Sequence, residues 1–393
     1  MQPMRLQSIL ITSATLAFAA CSSKDPGVPD TSPDDEAAVS PPAADAGGMS
    51  FIDVPHSDPP PRPPPPPGIT ILRRDAVTLA LSGSGKFLAA GDLAGQALLW
   101  DLERGRFLWT DPTPEGNRLG RVVFAAAAPI YLGGSFHEPD RPWRLWSADA
   151  LERRGELGES GWVGLDAALD DRATRALTLS SSRDGTQQRL ELWDLTVARP
   201  ATAPAPAVEA KALVTLPVSQ VTRGAVAIDA AGVRFALADD IGSVSLMTLA
   251  VDPGAPPVEL FRTQSEAGTR DESRVSKLAL SADGTILYGA LGARLMTWPL
   301  AADAKTSSLA IGSAADPLPI RGLHRVTTDS VTLVAVTRPA EGGLRFYAAD
   351  GTPLGALNTG CRCESHALSA DAKVAACGCT ESSELRWGRV TNP

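Results

Sequence analysis

The chain has 393 residues, 44% of them apolar, and 45 acidic against 36 basic side chains give it a net charge of −9. Its 35 Gly and 33 Pro exclude a mostly helical protein, because both residues weaken a helix interior. The acid excess argues against a nucleic-acid binder built on a basic face, and four histidines leave little material for an imidazole-based metal or acid–base centre.

Residues 1–20 read as an export signal. Arg5 supplies a short positive region, and Leu6 to Ala20 form a mildly apolar stretch that ends in Phe18-Ala19-Ala20-Cys21. The stretch is too short, and too rich in Ser and Thr, to make a comfortable membrane span. Small residues before a cysteine let a signal peptidase bind the segment extended, after which the thiol is open to acylation. The segment resembles the bacterial lipoprotein signal, with Phe18 standing where Leu is usual. The alternatives are an ordinary signal peptide cut after Ala20 and an uncleaved anchor. The resemblance implies Cys21 as the lipidation site and a stable anchor of several acyl chains. Ser22 stands where that family's inner-membrane retention signal has Asp, which implies the outer membrane of a bacterial envelope, on either its periplasmic or its external side.

Residues 21–68, which begin at the anchor cysteine, are expected to form a disordered tether. Positions 22–68 hold 14 of the prolines, including Pro59-Pro60-Pro61 and Pro63 to Pro67, and eight acids against Lys24 and Arg62. So few apolar groups cannot offset the entropy of ordering, and like charges extend the chain. The proline run favours stiff polyproline II.

From residue 69 to 393 the chain repeats. The clearest unit, Val77 to Leu102, alternates strand, Gly-containing turn, strand, turn and a third strand ending Leu99-Trp100-Asp101-Leu102. It returns at 225–250 and 275–300, with weaker copies at 122–149, 163–195, 323–350 and 366–390. Aligning the third strands sets Trp100, Trp146, Trp193, Met247, Trp298, Tyr347 and Trp387 at one repeat position, spaced by 46, 47, 54, 51, 49 and 40 residues. A period of 40–50 residues with three or four short strands predicts an all-β protein, a β-propeller of four-stranded antiparallel blades. The large third-strand aromatic is expected to fill the gap between neighbouring blades.

At these residues the chain resembles the WD-repeat family and its bacterial propeller relatives. Two Trp-Asp dipeptides occur, Trp100-Asp101 and Trp193-Asp194, and Ser281-Ala282-Asp283-Gly284 is similar to that family's first hairpin turn. Residues 82–85 and 369–372 are looser versions of the turn. The family's Gly-His dipeptide is absent, so its buried His–Ser–Asp–Trp network does not carry over. The resemblance implies the fold and assigns no site.

Seven blades are expected, with six or eight as alternatives if a weak copy is miscounted. Fourth strands are predicted at 105–109, 211–216, 258–262 and 308–311, whereas the seventh repeat has none before Pro393. The spare strand 68–73 precedes the first repeat and is expected to complete the last blade, leaving no open sheet edge.

Four cysteines fall in the last repeat, Cys361, Cys363, Cys377 and Cys379. Cys361 and Cys379 are equidistant from Ala370, as are Cys363 and Cys377, so a hairpin centred there sets the pairs opposite. A bulged turn brings Cys363 toward Cys379 instead. Two disulfides suit an exported protein. Four thiolates holding zinc, with His366 as a further ligand candidate, are the alternative, and free thiols a third possibility.

No nucleophile elbow, phosphate loop, zinc-protease helix or calcium loop appears in the sequence. His56 falls in the tether, and His137 with Glu138 in a long turn best read as a solvated loop. His324 and His366 are expected at strand starts in structural roles, and Asp170-Asp171 and Asp239-Asp240 in hairpin turns that cap their own backbone. The propeller's small net charge predicts no strong electrostatic steering. The expected function is therefore a non-catalytic, lipid-anchored envelope scaffold that binds a protein or glycan. It is expected to be monomeric, without cofactor or resident metal, and without a nucleic-acid partner. A second reading is a component of outer-membrane assembly machinery. A propeller hydrolase or lactonase is the third, and it requires inward-facing acids, histidines or a central metal.

Overall fold

The computed structural model describes residues 69–73, 76–92, 96–111, 119–135, 142–195, 210–218, 224–250, 255–264, 274–301, 305–313, 316–328, 331–339, 342–379 and 384–391. The export signal, Cys21, the tether, His56, His137 and Glu138 lie outside the described residues.

Seven four-stranded antiparallel sheets form the propeller, and the described residues contain no helix. In chain order the blades span 76–111, 119–157, 162–218, 225–264, 277–310 and 320–357, with blade 7 made of 363–389 and the strand Ile69–Arg73. That strand pairs antiparallel with Glu384–Arg389, Ile69 opposite Gly388 and Arg73 opposite Glu384. The ring therefore closes as expected, with the first strand of the propeller outermost in the last blade. Pairing this edge removes a row of unpaired backbone groups. A small additional hairpin, Gly312–Ser313 with Asp316–Pro317, lies between blades 5 and 6 and has no counterpart in the repeat pattern.

The buried apolar residues divide into seven clusters, and each fills one blade–blade interface. Leu99, Tyr131 and Trp146 belong to the cluster between blades 1 and 2, and Leu81, Trp100 and Leu385 to the one that joins blade 7 back to blade 1. A single blade exposes two apolar faces, so it gains most of its burial from its neighbours.

The register confirms five of the seven aligned third-strand residues and corrects two. In blade 1, Leu81 pairs with Leu88 and Leu88 with Trp100. Trp146, Trp193, Met247 and Trp298 occupy the same place in blades 2 to 5. Each belongs to the cluster shared with the preceding blade. Tyr347 pairs with Ala335 and so matches Leu98 instead, two residues along but on the same face, against the cluster between blades 5 and 6. In blade 7 the matching residue is Gly388, opposite Ala375. Trp387 sits one residue away, and a one-residue offset turns a strand side chain to the other face. It therefore packs toward blade 1. The interface Trp387 was expected to fill is occupied by Cys361, Cys363, Cys377 and Cys379, buried among Val334, Val336 and Phe346.

Candidate functional site

The innermost strand of every blade lines a central channel enclosing about 410 Å3. Local sequence sets what these strands present. In blades 1, 2, 3, 6 and 7 the inner pairing carries a β-bulge, followed at once by Thr78, Arg121, Asp166, Gly322 and Ser365. Ala225 and Lys277 hold the same level in blades 4 and 5, by their pairing to Ala238 and Ala290. A bulge bends its strand and re-aims the residue that follows. One level of the channel is thus a ring of mostly small or polar groups.

Some of these groups serve the neighbouring blade. Thr78 Oγ1 accepts a hydrogen bond from the Val122 amide at 3.1 Å, and Asp166 Oδ2 accepts one from the Val226 amide at 3.0 Å. Arg121 has no acceptor to offer and instead places its Nε 2.7 Å from Asp166 Oδ1. Lys277 lies among Arg121, Asp166 and Arg274, and among the described residues no hydrogen bond or ion pair joins its ammonium to a partner. The Arg121 charge and burial together push the lysine down to about 8.

One to two residues further along the strands, His324 and His366 meet edge to face, with ring centroids 5.5 Å apart. This corrects the expectation that both begin strands. They sit within the inner strands Ile320–Arg325 and Cys363–Leu368 and line the channel. Gly322 makes room for them, since a Cβ there would come within 2.2 Å of His366 Nε2 and 2.9 Å of His324 Nε2. Both Nε2 atoms therefore converge above Gly322, and that of His324 is buried without a hydrogen-bond partner. Each ring keeps part of its surface open to the channel yet lies deep inside the ring of blades. Burial, then the Arg121 and Lys277 charges, push His324 down to about 4. His366 is depressed as well, first by burial and then by His324, Lys277, Arg338 and Arg121. Both imidazoles are neutral at pH 7.

The two ends of the inner strands differ. At the hairpin turns, backbone hydrogen bonds pass from blade to blade, from the Ala127 amide to Asp171, Asp171 to Ala230, Ala230 to Ala282, Thr327 to Ala370 and Ala370 to Gly83. Gly83 itself abuts the Ala126 carbonyl so closely that a Cβ there would lie 1.7 Å from that oxygen. Between blades 5 and 6 no such bond occurs at this end among the described residues, although the Ile320 amide bonds to the Gly292 carbonyl at 2.8 Å. Arg325 of blade 6 instead reaches across the channel, pairing with Asp171 of blade 3 and donating to the Ile228 carbonyl of blade 4 at 2.9 Å. At the other end Arg321 and Glu364 line the channel, and Arg338 donates to the Cys363 and Glu364 carbonyls. The wall carries Arg121, Lys277, Arg321, Arg325 and Glu364, with Arg121 paired to Asp166 and Arg325 to Asp171. The channel wall keeps a local excess of positive charge that the small net charge of the propeller does not reveal. Net charge averages over the molecule, whereas a channel with low-dielectric walls concentrates its own charges.

The cysteines lie beside this arginine-rich end. Cys361 bonds to Cys379 and Cys363 to Cys377, with Cα separations of 5.7 and 5.4 Å. Both register possibilities occur at once. The pairing is the symmetric one about residue 370, while a bulge between Cys363 and Ser365 sets the Cα atoms of Cys363 and Cys379 opposite each other. The sulfurs of Cys361, Cys363 and Cys377 lie within 4.8 Å of one another, close enough for a shared metal if reduced. The first acid of each pair caps its turn as expected, whereas Asp171 pairs with Arg325 and Asp240 lies 3.9 Å from Arg274. Asp170 accepts from the Thr174 and Arg175 amides, and Asp239 from the Ile241 and Ser243 amides. Sequence reasoning missed Lys277, Arg121 and the histidine pair because they come from four different blades. Their only local signal is a charged residue near the start of an otherwise apolar inner strand.

No protein-family model matches the sequence, and no curated protein is similar to it. Among solved structures, the propeller is similar to the β-propeller domain of Cps50 (Swd1) from Myceliophteria thermophila, with a TM-score of 0.58. Sequence identity is 14%, over 82% of this chain and the whole of that domain, so the likeness concerns the fold alone.

Proposed function

We propose that the protein is a lipid-anchored scaffold of a bacterial envelope, whose propeller binds a protein or glycan partner without catalysing a reaction on it. The observation that carries this reading is the ring's construction. Seven four-stranded sheets share seven apolar interfaces, and the last sheet is completed by the first strand of the propeller. Such a body holds its blades and their described turns in fixed relative positions, which suits recognition by many small contacts. Two buried disulfides in the blade that closes the ring suit an oxidising compartment, in keeping with the export signal.

Photo-crosslinking in intact cells tests the reading. Crosslinkers placed on exposed side chains of the ring, such as Leu260 and Ile241, are expected to give one discrete adduct from the side that faces the partner. Cys21→Ser is expected to diminish that adduct by displacing the ring from the membrane. Discrete adducts that persist undiminished in Cys21→Ser contradict the anchored scaffold.

A further inference from the structure

We propose that the central channel binds a small oxyanion, with Lys277 supplying charge and His324 and His366 supplying neutral N–H donors. The inference goes beyond the scaffold reading and does not depend on it, because it concerns the ring's interior.

Charge accounting carries the argument. Arg121 is matched by Asp166, and Arg325 by Asp171. Of the remaining groups on the channel wall, Lys277 and Arg321 are positive and Glu364 is negative, with Arg338 close to both Arg321 and Glu364. The channel is left with excess positive charge inside a protein whose net charge is −9. An ammonium that faces other cations inside the ring and has no hydrogen-bonded partner is costly unless it is paired or loses its proton. An oxyanion offers the acceptors that Lys277 and the orphaned His324 Nε2 lack. Converging imidazoles also suit a metal cation, but Lys277, Arg121 and Arg338 all repel positive charge from His366. A space of about 410 Å3 accommodates a phosphate, sulfate or carboxylate group with a small organic remainder. The seven inner strands contribute no shared binding motif. The site exists only once the ring closes.

Equilibrium dialysis of the full chain against radiolabelled inorganic phosphate at pH 7 and low salt tests the proposal. One saturable site is expected, weakened at least tenfold by Lys277→Met and retained in Lys277→Arg. Binding is also expected to weaken as the pH rises through about 8, where Lys277, facing Arg121, Asp166 and Arg274, loses its proton. Parallel dialysis with sulfate and acetate separates a tetrahedral oxyanion from a carboxylate. Thermal melts provide a second readout. Phosphate is expected to raise the wild-type melting temperature and to leave Lys277→Met unmoved. Absence of saturable binding of all three anions overturns the proposal, as does equal affinity in wild type and a folded Lys277→Met.

Discussion

At the scale of the residue, position within the ring decides what a side chain contributes. Trp146 is fully buried and stacks on Tyr131 at 5.1 Å, whereas Trp387 lies half-buried on the opposite face of its strand. Trp146→Ala is predicted to cost about 3–5 kcal/mol in urea unfolding, and Trp387→Ala less than half as much. Equal losses would contradict the one-residue offset that separates them. The histidine pair gives the ring a pH dependence. Unfolded imidazoles take up protons below about 6.5, while His324 stays neutral to about 4 and His366 is depressed by His324, Lys277, Arg338 and Arg121. The unfolded state then binds more protons than the folded one, so stability falls as the pH drops from 6.5 toward 4. Urea midpoints at several pH values are predicted to show this decline, and His324→Gln with His366→Gln to flatten it. An unchanged slope in the double variant would remove these residues from the account.

At the scale of the element, strands and turns were legible in the sequence where chemistry is local. Ser281 Oγ accepts from the Ile286 amide at 2.9 Å and donates to Asp283 at 2.6 Å, and Gly284 adopts φ +65°. These are the roles that Ser, Asp and Gly favour in a tight turn. The same turn recurs at 369–372, where Ser369 donates to Asp371 and Ala372 takes the left-handed place of the glycine at φ 57°. The large third-strand side chains, four tryptophans and Met247, were legible in five blades. They misled in blades 6 and 7, because aligning by residue type ignores register and the cysteines fill the interface that Trp387 was assigned. Those disulfides join elements, tying the connection out of blade 6 and the first strand of blade 7 to its second strand across 18 and 14 residues. Reducing both is predicted to cost about 2–4 kcal/mol each, with early proteolysis near blade 7. If reduced protein instead binds zinc with undiminished stability, the cluster is a metal site.

At the scale of the whole molecule, closure turns seven weak units into one body and makes the channel. Fold and closure were legible because a repeat period and a spare strand are properties of order along the chain. The channel's charge was not, since Arg121, Lys277, His324 and His366 lie up to 245 residues apart and share no motif. The proposed anchor is the opposite case, since that reading rests wholly on Phe18-Ala19-Ala20-Cys21. Intact-mass measurement of the protein extracted from its native membranes tests the export, anchoring and disulfide claims together. The account predicts a chain beginning at Cys21, heavier by diacylglyceryl and acyl groups, with no mass gained on alkylation before reduction and four alkyl groups gained after it. A chain that still carries residues 1–20, an unmodified Cys21, or four thiols that alkylate without reduction would contradict it.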